Sequence, residues 1–244
     1  MEYKSGIMVS EISFSSLPLI LKNAILDFFI IDYEHGPFDY TDMSKLIMNA
    51  RLAGIKCIVR LPNNERKDII KLLDMGADGL LLPMTSFAKD IEKVVNYAKY
   101  PPLGKRGIST MRAHTLYNPP ETTKYIKQAN EDTMIFAQIE TIDGVNNIDE
   151  ILGVNGVTGV FVGPNDLSAD YGCLGDNNAK EILNSIEKVA ASAKNHNKLS
   201  GIITGNSNYL KLARKCKMEL YSIGSELNLL QNGAKEIVKK VNEL

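Results

Sequence analysis

Short apolar runs recur through this chain at roughly regular intervals, and their number constrains the fold more than any other feature of the sequence. Eight runs have the length and composition of buried strands: 6–9, 26–31, 55–59, 79–82, 134–139, 157–162, 199–203 and 220–223. Several intervening segments carry apolar residues at helical spacing, as in 69–73 before Gly76 and 182–193 before Asn197. This alternation predicts an α/β fold, a (β/α)8 barrel. A doubly wound open sheet is the alternative, because strand order cannot be read from one sequence.

Composition restricts the domain organisation and the class of partner. The 244 residues, 44% of them hydrophobic, predict a single domain over 1–244. The 28 basic and 29 acidic residues are interspersed and give a formal charge of -1, so we expect no nucleic acid and no membrane surface as partner. Three cysteines without paired spacing, a start unlike a leader peptide, and no apolar stretch near the ~20 residues of a membrane span predict a reduced, cytoplasmic protein.

Polar residues stand at the carboxyl ends of the predicted strands, where a barrel of this type builds its active site. Glu140 closes the fifth run and Asp166 follows the sixth, so both carboxylates are expected on one rim. Gln138, Arg60 and His35 stand at equivalent places. Carboxylates completed by water and substrate oxygens suit Mg²⁺ or Mn²⁺ better than structural zinc. We therefore predict a divalent metal site that acts on a small oxygenated substrate.

Each of these side chains also has an ordinary structural interpretation. Arg60 could pair with a neighbouring acid as a salt bridge at the top of the barrel, and His35 could cap the helix that follows Asp39. The functional interpretation is preferred because two carboxylates, a cation, an amide and an imidazole all fall on the same predicted rim.

Three further ionisable residues lie away from those strand ends. Asp74 occupies the last helical turn before the fourth run. A negative charge there interacts unfavourably with the helix macrodipole and destabilises the helix by about 0.3–1 kcal/mol. It either orients an imidazole or is a solvated carboxylate at a helix end. His114 and His196 are interpreted as surface residues. Neither a phosphate-binding loop nor a dinucleotide fingerprint is present in the sequence.

Several segments together resemble a known family. They are 26–39 (LDFFIIDYEHGPFD), 59–62 (VRLP), 72–84 (LLDMGADGLLLPM), 100–107 (YPPLGKRG), 137–140 (AQIE) and 159–169 (GVFVGPNDLSA). In order and spacing they resemble the HpcH/HpaI family of metal-dependent class II pyruvate aldolases. The resemblance covers nearly the whole chain, and it implies a barrel of the phosphoenolpyruvate/pyruvate-binding type. It also implies an aldolase that reversibly cleaves a 4-hydroxy-2-oxo acid into pyruvate and a small aldehyde through a pyruvate enolate.

The resemblance also implies a role for each matching residue. Glu140 and Asp166 would be ligands of a divalent metal (Mg²⁺, Mn²⁺ or Co²⁺), with Gln138 beside them. Arg60 would face the pyruvyl oxygen, and His35 would be the acid/base group, oriented by Asp74. The backbone of Gly163, Pro164 and Asn165 would receive the pyruvate carboxylate. A homo-oligomer, a trimer of dimers that exchange the last helix, is the implied assembly.

The sequence departs from the family pattern in places. Tyr33 stands where many relatives have a small residue, and Ser225-Glu226 closes the eighth run where an Asp is common. These changes concern the aldehyde pocket and subunit contacts.

The alternatives to an aldolase are a CoA-ester lyase of the malyl- or citramalyl-CoA type and a noncatalytic barrel relative. A Schiff-base aldolase is disfavoured because no lysine lies at a predicted strand end.

Overall fold

The computed structural model describes residues 3–244, and the strands lie within two residues of the predicted runs. The strands are β1 (Lys4–Val9), β2 (Phe28–Asp32), β3 (Lys56–Arg60), β4 (Gly79–Leu82), β5 (Met134–Ile139), β6 (Gly159–Val162), β7 (Leu199–Ile203) and β8 (Leu220–Ser225). The helices are α1 (Leu17–Asn23), α2 (Tyr40–Ala53), α3 (Arg66–Met75), α4 (Ala88–Ala98), α5 (Thr122–Asp132), α6 (Ile142–Asn146), α7 (Ile148–Gly153), α8 (Pro164–Asp170), α9 (Lys180–Asn195), α10 (Ser207–Lys215) and α11 (Glu226–Asn242). None of the helices within 3–244 is both long and apolar enough to cross a lipid bilayer.

The strands form one closed parallel barrel in chain order, with β1 paired to both β2 and β8. The predicted (β/α)8 barrel is confirmed, and the open-sheet alternative is wrong. Neighbouring strands set residues from distant parts of the chain at the same height: Asp32 is in register with Arg60, and Gln138 with Phe161. Because the ring has eight strands in order, β1 lies across the barrel from β5.

The alternation of side chains along each strand separates two apolar layers. Phe28 and Ile30 of β2 belong to the cluster that fills the barrel interior, together with Phe161 of β6. Phe29 and Ile31 point the other way and pack in the larger cluster between the strands and the helices. This alternation decides which residues at the strand ends face the interior of the barrel.

Local signals end the helices where the barrel needs a turn. Helix α2 begins after Asp39, whose carboxylate accepts hydrogen bonds from the backbone N–H groups of Thr41 (2.7 Å) and Asp42 (2.9 Å). It ends at Gly54, which has a left-handed conformation (φ 70°) that favours glycine. Asp39 caps this helix, so His35 does not cap it.

Candidate active site

The inward-facing rows of β2, β3 and β5 continue into polar residues at the carboxyl end of the barrel, and that of β6 continues into Gly163. Positions 28 and 30 of β2 lead to Asp32, and position 58 of β3 leads to Arg60. Position 136 of β5 leads to Gln138 and then to Glu140, and position 161 of β6 leads to Gly163. The period-two alternation that packs apolar side chains inside the barrel therefore also places four polar side chains above them: Asp32, Arg60, Gln138 and Glu140.

A cavity of about 510 Å³ opens at this end of the barrel. Six of the nine predicted site residues line it: His35, Arg60, Gln138, Gly163, Asn165 and Asp166. Glu140 lies in contact with Gln138, and Pro164 is buried as the first residue of α8. Asp74 is the one predicted residue that lies elsewhere. The structure thus brings together residues from β2, β3, β5 and β6 that are distant in the chain.

Arg60 is held by two carboxylates, one at the end of β2 and one in the segment that follows it. Its Nε atom donates to Oδ1 of Asp32 (3.0 Å), and a terminal nitrogen lies 2.7 Å from Oδ2 of the same residue. The other terminal nitrogen lies 3.2 Å from Glu34 Oε2. Burial opposes the charge on the guanidinium, but the hydrogen bond and negative charge of Asp32 outweigh it and raise the pKa of Arg60. Arg60 is therefore a fixed, permanently charged donor at the edge of the cavity.

Asp32 and Glu34 are site residues that the sequence reasoning missed. Asp32 is buried, and its Oδ1 atom also accepts the backbone N–H groups of Glu34 (3.2 Å) and His35 (3.1 Å). One carboxylate thus holds Arg60 and also shapes the turn that carries the histidine. Burial raises the pKa of Glu34, and the charge of Arg60 opposes that rise. The sequence places Asp32 directly after the second apolar run, but its pairing with Arg60 follows from the register of β2 and β3.

Glu140 is a buried carboxylate with only partial compensation for its charge. It is 2% exposed; Oε1 accepts the backbone N–H of Met84 (2.6 Å), and Oε2 accepts the side-chain amide of Gln138 (2.5 Å). Burial raises the pKa of Glu140 to about 7, and the negative charge of Asp166 acts in the same direction. A cation between the two carboxylates would oppose both effects.

The donor groups around Glu140 fit a hard divalent cation. Gln138 Oε1 is buried and has no hydrogen-bond partner among the described residues, so it can accept a hydrogen bond from a water or ligand hydroxyl, or contact a cation. Gly163 leaves the space open, since a Cβ atom at that position would lie 2.6 Å from Glu140 Oε2. Within 3–244, no group of three or more His, Cys, Asp or Glu side chains is arranged to hold a metal. The two carboxylates would therefore share the ion with water and substrate oxygens.

His35 and Asp74 lie at opposite ends of the barrel, so the structure does not support the prediction that Asp74 orients His35 within this chain. His35 follows the carboxyl end of β2, whereas Asp74 lies near the end of α3, which returns the chain to the amino end of β4. Asp74 Oδ1 instead accepts a hydrogen bond from Arg106 (2.7 Å). The His35 side chain is 72% exposed, and its Nε2 atom lies 3.8 Å from Glu34 Oε2.

The interpretation of His114 as a surface residue is wrong. His114 is buried, with Nδ1 2.5 Å from the Tyr125 hydroxyl and Nε2 3.0 Å from the backbone oxygen of Ser109. Burial lowers its pKa. The segment that carries His114 packs against α3 and α5 at the amino end of the barrel. Local sequence does not reveal this packing. His196 is half-buried, with Nε2 3.2 Å from Asp149 Oδ1.

Comparisons with known proteins agree on one family. The family model described as HpcH/HpaI aldolase/citrate lyase matches residues 16–233. A 5-keto-4-deoxy-D-glucarate aldolase from Klebsiella pneumoniae is 32% identical over 218 residues, covering 89% of this chain and 84% of the relative. A hydroxypyruvate/pyruvate aldolase from Roseovarius nubinhibens is 33% identical over 223 residues, covering 91% and 86%. The crystal structure of an HpcH/HpaI aldolase from Desulfitobacterium hafniense DCB-2 superimposes with a TM-score of 0.93 at 30% identity, covering 100% of this chain and 94% of that one.

Proposed function

This chain belongs to the HpcH/HpaI aldolase/citrate lyase family and is a lyase, and we propose that it reversibly cleaves a 4-hydroxy-2-oxo acid into pyruvate and an aldehyde with the help of a divalent cation. The two named relatives are aldolases, and at least one of them acts on pyruvate by name. The observation that carries the proposal is that buried Glu140 is close enough to Asp166 to feel its negative charge, on the rim that also holds Arg60. That combination would supply cation ligands and a separate fixed positive charge at one cavity.

Glu140 and Asp166, with Gln138 beside them, would hold the ion. When bound, a divalent cation supplies a Lewis acid that polarises the keto oxygen and a template for the keto acid. We propose that Gly163 and Asn165, which line the cavity, receive the substrate carboxylate through the backbone at the start of α8. Gly163 suits this role because it has no side chain to separate the substrate from Glu140.

Arg60 would stabilise the negative charge that develops on the keto oxygen as the carbon–carbon bond breaks. Its ion pairs with Asp32 and Glu34 fix the guanidinium before substrate arrives, so little reorganisation accompanies the reaction. Because Arg60 keeps its charge, it does not exchange protons with substrate.

His35 would accept the proton of the substrate's 4-hydroxyl group on an imidazole nitrogen during cleavage, directly or through a water, and return it in the condensation direction. It lines the cavity and is largely exposed, so substrate and solvent both reach it. Glu34 is the carboxylate that the structure places next to the ring.

The arrangement disfavours covalent catalysis by a lysine. No lysine lines the cavity among the described residues. Lys56, at the start of β3, lies at the amino end of the barrel and pairs with Asp78 at 2.7 Å. Borohydride trapping with pyruvate is therefore expected to leave the protein unmodified.

The proposal is tested by pyruvate release from a panel of 4-hydroxy-2-oxo acids. Protein stripped of metal is assayed alone and after addition of Mg²⁺, Mn²⁺ or Co²⁺, with Glu140→Ala as the variant that lacks one ligand. We expect release that requires a metal and is lost in the variant. Release by stripped protein in a chelator, or no release with any metal, would contradict the proposal. Acetyl-CoA binding in the latter case would favour a CoA-ester lyase.

We also propose that the protein is a homo-oligomer, with the trimer of dimers implied by the family resemblance as the assembly. In α11 only Glu226 is buried, while apolar side chains further along the helix face solvent: Leu229, Leu230, Ile237, Val238 and Val241. An amphipathic helix whose apolar residues have no partner in its own chain calls for another copy to cover it. Mass measurement by sedimentation velocity tests this, and a monomer at micromolar concentration would contradict it.

A further inference from the structure

The first residue of α11 binds the segment that leaves β1. The carboxylate of Glu226 is 4% exposed and accepts hydrogen bonds from three consecutive backbone N–H groups. Ser10 N–H lies 2.9 Å from Oε1 and 3.0 Å from Oε2, Glu11 N–H lies 2.7 Å from Oε1, and Ile12 N–H lies 3.1 Å from Oε1. The donors in all of these contacts are backbone N–H groups. Such an arrangement holds a loop in one conformation.

The bound segment is one wall of the active-site cavity. Ser10 lines the cavity. Ser225 and Asn228, which lie next to Glu226 in the chain, line it as well. Ser225 N–H donates to Asn228 Oδ1 (2.9 Å), so the start of α11 is ordered by its own hydrogen bond. This wall follows β1 and β8, and β1 lies across the barrel from β5, whose end carries Glu140. It therefore faces the proposed cation ligands across the cavity.

The same contact also reaches the segment that carries His35. Gly36 packs so closely on the loop after β1 that a Cβ atom there would lie 2.7 Å from the backbone oxygen of Ser10. A shift of Ser10 would therefore move Gly36 and, with it, the neighbouring His35. Glu226 touches neither the proposed ligands nor Arg60 in any of its hydrogen bonds, so its influence on the reaction is indirect.

We propose that Glu226 is a positioning residue, which holds the wall formed by Ser10, Ser225 and Asn228 in place for the part of the substrate beyond its pyruvyl end. This inference rests on the proposed aldolase function. The pyruvyl end would bind at Glu140, Asp166 and Arg60, which Glu226 does not contact. The aldehyde end would lie next to His35 and the neighbouring wall, whose position depends on Glu226.

The distinction between the two ends of the substrate provides the test. Enolate formation from pyruvate alone, in which a methyl proton passes to solvent water, needs only the pyruvyl end of the site. It is measured as deuterium exchange into the pyruvate methyl group in D₂O. Cleavage of the full 4-hydroxy-2-oxo acid needs both ends. Wild-type protein, Glu226→Gln and Glu226→Asp are compared in both reactions, with saturating Mg²⁺ or Mn²⁺ and with thermal unfolding recorded for each.

Glu219→Gln is the matched control. Glu219 Oε2 also accepts a backbone N–H, that of Ser200 (3.0 Å), but it lies at the amino end of the barrel at the start of β8. The control therefore removes a carboxylate that ties two strands together without approaching the cavity. Loss of general stability would affect both Glu→Gln variants alike.

We expect Glu226→Gln to lower kcat/KM for cleavage by roughly 10- to 100-fold, mainly through KM, while exchange into pyruvate changes less than about twofold. Glu226→Asp, which keeps the charge, is expected to recover part of the loss. The proposal is overturned if exchange and cleavage fall together, or if neither changes. If Glu226→Gln does not fold, the same comparison is made with Glu226→Asp, and it is read in the same way. Wild-type protein that cleaves none of the acids would instead count against the aldolase function itself.

Discussion

Arg60 and Asp32 form a two-point ion pair between equivalent positions of β2 and β3, with Nε to Oδ1 at 3.0 Å and a terminal nitrogen to Oδ2 at 2.7 Å. Asp32 also accepts the backbone N–H of His35. The same carboxylate therefore holds the proposed electrostatic group and the turn that presents the proposed acid/base group. The two proposed functions, which would act on different substrate atoms, thus depend on one carboxylate.

Arg60→Lys is expected to reduce kcat/KM for cleavage by roughly 10²–10³-fold, because an ammonium cannot keep both bonds to Asp32 and also face the substrate. The measurement is steady-state pyruvate release. Arg66→Lys, at the exposed start of α3, is the control and is expected to behave as wild type. Near-normal activity of Arg60→Lys would show that a point charge suffices there.

Gly163→Ala is expected to weaken binding of the divalent cation by roughly 10- to 100-fold. The added Cβ atom would lie 2.6 Å from Glu140 Oε2 and 3.0 Å from Gln138 Nε2, so the carboxylate would have to move. Isothermal titration with Mn²⁺ measures the effect. Gly153→Ala is the matched control, because a Cβ atom there meets nothing within 4 Å. Equal affinities in the two variants would separate Glu140 from the cation site.

His35→Ala is expected to reduce cleavage by ~10²–10⁴-fold and to leave Mn²⁺ affinity unchanged. The reason is that His35 faces the cavity from β2, whereas the proposed ligands follow β5 and β6. His196→Ala, at the end of α9, serves as the control for loss of a histidine. Loss of the metal together with activity would make His35 a ligand and remove it from the acid/base role.

The contribution of Lys99 to folding stability is expected to rise with pH between about 8 and 10.5. Burial lowers the pKa of this lysine from 10.5 to about 8, while its ammonium donates to the backbone oxygens of Asn130 and Thr133. In that interval the unfolded chain binds a proton that the folded protein has released, so raising the pH favours folding. Below pH 8 both states are charged and the penalty for burying the charge is fully present.

Urea unfolding at several pH values between 7 and 10.5 measures this, with a gain of roughly 1–3 kcal/mol expected from Lys99. In Lys99→Met the free energy of unfolding at pH 10.5, relative to that at pH 7, should be lower than in wild type by that amount. Lys89→Met, on the exposed side of α4, gives the comparison for loss of an ordinary lysine. An unchanged pH dependence in Lys99→Met would mean that the buried group keeps its charge throughout.

The sequence by itself determined the strands, their alternation with helices and most of the rim. Strand positions follow from short apolar runs, and period-two alternation then requires that Arg60, Gln138 and Glu140 continue the inward rows of their strands. Both signals are local, so they survive without knowledge of neighbours. The order and spacing of the strand-end motifs were enough to indicate the family, and the family model and the named relatives agree with it.

Only the tertiary structure decided which charges meet. Asp74 lies at the amino end of the barrel with Arg106, Asp32 rather than Asp74 supports the turn at His35, and Glu226 binds a loop more than two hundred residues earlier in the chain. Side-chain pairing depends on the register of neighbouring strands and on the end of the barrel to which each connection leads. A single sequence specifies neither directly, because the energy of an ion pair depends on the separation and burial of two groups that only folding brings together.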